Sequence, residues 1–138
     1  MKNLFDISGK VAVVTGRSRG IGAMIARGFV ENGVKTYITS RKEEELMAAE
    51  AELSALGACV AIPSDLSTVE GVQAFAESVM QREPELHILV NNAGATWGAT
   101  IDEFPEQGWD KVMDLNVKSL FFLTQAFLPA LREAGSHE

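Results

Sequence analysis

The apolar positions of this chain follow two alternating rhythms. Short β-branched runs recur at residues 11–15 (VAVVT), 35–39 (KTYIT), 59–63 (CVAIP) and 87–92 (HILVNN). Between them apolar residues return every third or fourth position, the period of one helical face. That period predicts helices over residues 20–32, from Glu43 with Leu46, Ala49, Leu53 and Leu56 along one face, from Ser67 to about Arg82, and from about Gln107 to Ala134 as one long, kinked helix. Gly33 and Gly57 read as left-handed stops after the first two helices, and Ser67 with Glu70 as a capping box for the third.

Strands and helices alternating over connections this short give right-handed crossovers and a parallel sheet. The expected fold class is α/β: a Rossmann-like, doubly wound parallel sheet with four strands in the order 3-2-1-4, flanked by helices. Strands one and four are apolar at nearly every position, so both read as central strands covered on two faces. Residues 1–138 form one nucleotide-binding domain, without repeat, low-complexity tract or linker. The sequence stops before any fifth strand.

In a sheet of this kind a ligand lies beyond the carboxyl ends of the strands, where strand order reverses. The turn TGRSRGIG at residues 15–22 occupies that place. Gly16 permits a sharp turn off the strand, Gly20 permits backbone to approach a ligand, and Gly22 lets the new helix pack on the sheet. The helix N-terminus then presents free N–H groups to a phosphate. Gly16, Arg17, Ser18, Arg19, Gly20, Ile21 and Gly22 together are the expected phosphate cradle. A Walker A loop is excluded, since Ile21 stands where its second glycine belongs and no Lys-Ser or Lys-Thr follows. The G-x-G-x-x-G spacing is absent as well.

Composition sharpens this. A net charge of −7 argues against a general nucleic-acid or anionic-membrane binder, which makes a local group of arginines an exception. After the second strand come Ser40, Arg41 and Lys42, with no Asp or Glu at the strand end. An acid there holds a free ribose 2′-hydroxyl, whereas a 2′-phosphate needs positive charge. Arg19 and Arg41 can therefore clamp a 2′-phosphate, and NADP(H) is the cofactor expected. The alternative is that Arg41 and Lys42 pair with the acids at residues 43–45.

The remaining chemistry is sparse. Cys59 is the only cysteine and reads as a small buried hydrophobe, so no internal disulfide forms. No signal-like segment or membrane-length apolar run is present, and a cytoplasmic location is expected. His87 reads as a strand-edge residue and His137 as a tail residue, with no metal cluster. Trp97 and Trp109 are expected to pack the loop and helix around them, with Trp97 near a substrate entrance. Asn116 lies at helical spacing from Val112, Ser119, Leu120 and Leu123, on an otherwise apolar face. It either satisfies a backbone group or holds an ordered water.

Three motifs in order, T-G-x-x-x-G-x-G at residues 15–22, N-N-A-G at 91–94 and Asn116 in MDLNVKS, resemble the short-chain dehydrogenase/reductase family over nearly the whole chain. The wording NNAGATWGA and GWDKVMDLNVKSLFF is most similar to bacterial 3-oxoacyl-[acyl-carrier-protein] reductases, including the rhamnolipid type. The resemblance implies that Asp65 and Leu66 flank an adenine, that Asn92, Ala93 and Gly94 line the ribose and nicotinamide side, and that Asn116 supports a catalytic proton relay. It implies a small-molecule or acyl-carrier ketone as substrate, and a dimer or tetramer as the intact enzyme.

The family's general acid, a tyrosine in Tyr-x-x-x-Lys, has no counterpart here. Tyr37 is the one tyrosine, and Lys42 follows at five residues rather than four. The chain therefore resembles the N-terminal, cofactor-binding half of a reductase. A non-catalytic nucleotide-binding module and an inactive gene fragment are the other readings. A half-sheet of this kind is expected to expose apolar surface, with Phe121, Phe122 and Phe127 as candidates.

Overall fold

The computed structural model describes residues 3–16 and 20–137. Four parallel strands, β1 (Val11–Thr15), β2 (Lys35–Thr39), β3 (Cys59–Ala61) and β4 (Ile88–Val90), form one sheet in the order β3-β2-β1-β4. The doubly wound arrangement expected from the sequence is therefore present. Helices α1 (Ile21–Glu31), α2 (Glu43–Ser54) and α3 (Val69–Met80) make the crossovers. A short 3-10 turn at Ile101–Glu103 leads to α4 (Glu106–Met113), a π-helical turn (Asp114–Lys118) and α5 (Ser119–Gly135).

Each face of the sheet carries its own core. On one, Val14 and Ile38 meet Ala26 and Val30 of α1 and Leu46 and Leu53 of α2. On the other, Val13 and Tyr37 meet Val72, Phe75 and Val79 of α3 and Leu123 and Phe127 of α5. Phe75 and Phe127 stack edge to face with ring centroids 6.0 Å apart. β1 is buried throughout because both layers close over it.

Several expectations need correction. β4 is half-buried along its three residues rather than covered on both faces, while among the described residues it pairs only with β1, as the order 3-2-1-4 requires. Gly57 is not a left-handed stop. Its value lies in close packing, since a Cβ there would stand 2.8 Å from the Val30 carbonyl oxygen. Gly33, at φ +79°, does have the expected left-handed conformation. The third helix is capped by Thr68, whose hydroxyl accepts from Gly71 N–H at 3.0 Å, because Ser67 is already held by Asp65. Phe127 is fully buried, Phe122 is half-buried, and only Phe121 of the three is exposed. Trp109 is also exposed rather than packed.

The outer edge of β3 is closed by its own crossover helix. Ser54 Oγ donates to the Cys59 carbonyl at 3.4 Å, and Glu50 accepts from Ala61 N–H. Both are outward-facing groups of an edge strand, which otherwise invite pairing with another chain. Burial, with a smaller contribution from the Glu50 charge, pushes the Cys59 thiol up to about 11. Cys59 is accordingly expected to resist iodoacetamide at pH 8 in the folded chain and to react on unfolding, as read by mass spectrometry.

Candidate functional site

The carboxyl ends of β1, β2 and β4 are drawn together by hydroxyl groups. Thr15, which ends β1, is buried, and its Oγ1 accepts from both Asn92 N–H and Ala93 N–H at 3.1 Å. The same hydroxyl donates to the Val90 carbonyl at 3.3 Å. One side chain thus fixes the loop after β4 against the turn after β1. Thr39, which ends β2, hydrogen-bonds Ser64, and Ser64 N–H donates to the Ser40 carbonyl at 3.2 Å. Sequence reasoning assigned neither Thr15 nor Thr39 a role. The signal available was a hydroxyl residue closing each of two buried strands.

Gly16 has φ +115°, and a Cβ there would lie 2.7 Å from Asn92 Nδ2. The first turn therefore packs directly on the N-N-A-G loop. Gly20 has φ +75° and is open on its outer side, with nothing within 4 Å of a Cβ. It is the N-cap of α1; among the described residues no side chain caps that helix, and the first turn of α1 carries no acid. Gly22 is buried beside Val14 and Ile38, which brings α1 close to the sheet as expected. Ile21 is exposed at the same helix start. Arg17, Ser18 and Arg19 lie outside the described residues.

Helix α1 differs here from its neighbours. α2 begins with Glu43, Glu44 and Glu45, and α3 is capped by Thr68. An uncapped, acid-free N-terminus keeps its N–H groups and positive dipole end available to an anion.

At the end of β2, Ser40 Oγ accepts from Lys42 N–H at 3.3 Å, and Lys42 pairs loosely with Glu45 at 3.8 Å. Pairing with the acidic helix start thus accounts for Lys42. The exposed Arg41 charge is felt instead by Asp65, so a carboxylate does stand near this corner. Hydrogen bonds from the Ser67 hydroxyl and N–H, at 2.6 and 3.0 Å, chiefly hold the Asp65 carboxyl below its usual range, and Arg41 adds to the effect. Leu66 is buried in the core.

Asn116 is exposed, not set into an apolar face. Its Oδ1 accepts from Ala95 N–H at 2.8 Å and its Nδ2 donates to the Ala95 carbonyl at 2.9 Å. Of the two roles open to it, satisfying backbone is the one seen. The residue sits in the π-helical turn, where one extra residue rotates the side chain away from the Ser119 and Leu123 face. Gly94 lets it approach, since a Cβ there would be 3.0 Å from Asn116 Oδ1. Two residues on, the Trp97 ring packs over Gly108, and Lys111 Nζ lies 5.7 Å from the ring centroid. The loop after β4 is thereby tied to α4 and to the π-helical turn.

Tyr37 is remote from all of this. It is fully buried, and its hydroxyl donates to Glu83 at 2.8 Å.

The family model described as short chain dehydrogenase matches residues 10–137. The chain belongs to that family. It is 46% identical to a rhamnolipids biosynthesis 3-oxoacyl-[acyl-carrier-protein] reductase of Pseudomonas aeruginosa, over all of this chain and 54% of that one. The Pseudomonas aeruginosa RhlG/NADP active-site complex superposes with a TM-score of 0.91 at 46% identity, covering 97% of this chain and 52% of that one. An L-sorbose reductase from Gluconobacter frateurii, complexed with NADPH and L-sorbose, does so at 0.89 and 37% identity, covering 94% and 50%. The chain spans about half the length of the relatives it matches. It is thus an oxidoreductase-family chain with a Rossmann-like fold, and no helix among the described residues is long and apolar enough to cross a membrane.

Proposed function

We propose that this chain is the NADP(H)-binding portion of a reductase that converts a ketone to a secondary alcohol, with a 3-oxoacyl group as the substrate class. The observation that carries the reading is the start of α1: a helix N-terminus that, among the described residues, has no side-chain cap and no acid in its first turn. Arg41 stands at the end of the adjacent strand. The NADP and NADPH complexes of similar proteins support it.

These residues fit such a cofactor. The α1 N-terminus and the turn at residues 16–22 receive the pyrophosphate, and Arg41 with Arg19 neutralises the 2′-phosphate. Asp65 and the backbone beside Leu66 border the adenine, with Ser40 at the ribose. Asn92, Ala93 and Gly94, held by Thr15, form the wall on the nicotinamide side. When bound, the cofactor supplies a hydride. Asn116, by clamping Ala95, fixes the end of that wall, and in the intact enzyme it supports proton delivery. The intact enzyme acts in the cytoplasm as a dimer or tetramer on a small-molecule or acyl-carrier substrate. Its general acid is a tyrosine that the 138 residues do not contain at this site.

A second reading is a nucleotide-binding module without chemistry. It is favoured by Tyr37, whose burial and bond to Glu83 leave the site without a tyrosine. Sequencing the DNA past codon 138 separates the two: Tyr-x-x-x-Lys supports the reductase, and a stop codon supports the module.

Arg41→Ala tests the cofactor assignment. A charge-assisted hydrogen bond contributes about 1.5–3 kcal/mol, so NADPH affinity should fall by about ten- to a hundredfold while NADH affinity changes little. Fluorescence titration with each nucleotide reads the split. Equal losses for both would remove Arg41 from the 2′-phosphate.

A further inference from the structure

The corner proposed for the 2′-phosphate is built from two segments, the end of β2 with Ser40 and Arg41 and the stretch after β3 with Ser64 and Asp65. The strand register that joins them stops short of it, with Ile38 and Ala61 as its last pair. Beyond that pair, Ile62 N–H donates to the Ile38 carbonyl at 3.0 Å and Ser64 N–H to the Ser40 carbonyl at 3.2 Å. The hydroxyls of Thr39 and Ser64 add a side-chain bond across the same gap.

The segment after β3 is held firmly. A Cβ on Gly71 would collide with the Asp65 carbonyl oxygen, so that backbone lies directly on the first turn of α3. Ser67 holds the Asp65 carboxyl through its hydroxyl and N–H, and Leu66, between them in the chain, is sunk in the core.

Arg41 has no such support. Its side chain is exposed and, among the described residues, makes no hydrogen bond or ion pair, whereas Lys42 beside it is drawn to Glu45. Where the guanidinium reaches is therefore set by the backbone it leaves. Thr39, 1% exposed, fixes that backbone from two sides: its carbonyl accepts from Gly16 N–H at 3.2 Å, and its hydroxyl bonds Ser64. Valine would fill the same space and suit the same strand, so packing alone does not call for a hydroxyl here. A nucleotide with a 2′-phosphate must meet the α1 N-terminus and Arg41 at once, and the span between its phosphate groups is limited by its covalent frame. The two protein sites must stand at a matching separation.

On the NADP(H) reading proposed above, we infer that Thr39 and Ser64 are positioning residues for cofactor choice: their hydroxyl bridge ties the Arg41 backbone to the anchored segment after β3, where the guanidinium meets a 2′-phosphate. NADH lacks that phosphate and depends little on the bridge.

The test titrates NADPH and NADH by fluorescence against the 138-residue chain and its Thr39→Val, Ser64→Ala and Thr39→Ser variants. Thr39→Val and Ser64→Ala should each weaken NADPH by about three- to tenfold and NADH by less than about twofold, and Thr39→Ser should keep the parent ratio. A merely structural bond would weaken both nucleotides equally, and that result overturns the inference. Arg41→Ala separates the two readings: if it lowers NADPH selectively while Thr39→Val does not, the bridge alone falls; if it lowers both equally, the cofactor assignment falls with it. A second measurement needs no nucleotide. Titration of the Asp65 carboxyl by carbon NMR should show that Arg41→Ala raises it in the parent chain, where the guanidinium charge helps to hold it down, and raises it less in Thr39→Val. An equal rise in both backgrounds would show that the bridge does not place Arg41.

Discussion

Gly16→Ala is expected to abolish NADPH binding and to lower Tm by several degrees, whereas Gly20→Val abolishes binding with much less effect on Tm. The difference comes from what surrounds each glycine. At Gly16 a methyl group would enter the space of Asn92, 2.7 Å from its Nδ2 and 3.1 Å from its backbone carbonyl group, at a φ of +115°. Strain of that kind costs about 1–3 kcal/mol, and relief requires the loop after β4 to move off Thr15. The wall of the proposed nucleotide site and the anchor of β4 are then lost together. At Gly20 a Cβ meets no atom of the described residues within 4 Å, so the expected cost to the fold is the left-handed backbone strain of about 1–2 kcal/mol. The branched group of valine instead occupies the side from which a pyrophosphate reaches the α1 N-terminus. Circular dichroism melts and fluorescence titration, run on both variants, separate the two effects. Normal NADPH binding by Gly20→Val would place the phosphate site elsewhere.

The strands and the glycine turn were legible in the sequence because burial on both faces leaves no choice of residue. β1 and β2 have the predicted limits, and the three motif segments do converge at one end of the sheet. What escaped depends on contacts between distant segments. The π-helical turn leaves no mark in the apolar period, so Asn116 was placed on the wrong side of its helix, and its bond to Ala95 was invisible. Ser67 and Thr68 are equivalent as caps on paper, and the side chain of Asp65 decides between them. Arg41 reads as a 2′-phosphate clamp, with pairing to the acids that follow as the alternative, yet the carboxylate that feels its charge is Asp65, after β3. His137 looked isolated because Glu85, its partner, precedes it by more than fifty positions and is delivered by the sheet.

The 138-residue chain alone is expected to show no ketone reduction and to self-associate. Its two sheet edges are treated differently. On β3 the outward groups of Cys59 and Ala61 are taken by Ser54 and Glu50, so that edge is closed. On β4 no second strand pairs among the described residues, and Val117, Leu120 and Phe121 are 52%, 45% and 60% exposed around the start of α5. A bare parallel edge and exposed apolar side chains are each features that promote association. Catalysis fails for a separate reason: Tyr37 is sealed in the core, and a general acid contributes about 10²–10⁴-fold in rate. Supplying a segment that carries a pairing strand and Tyr-x-x-x-Lys, in one chain or as a complementing fragment, should restore both solubility and turnover. Size-exclusion chromatography and NADPH oxidation with a 3-oxoacyl substrate compare the two forms. A monomeric short chain that reduces the substrate would show that β4 needs no partner and that the proton comes from a group within these 138 residues.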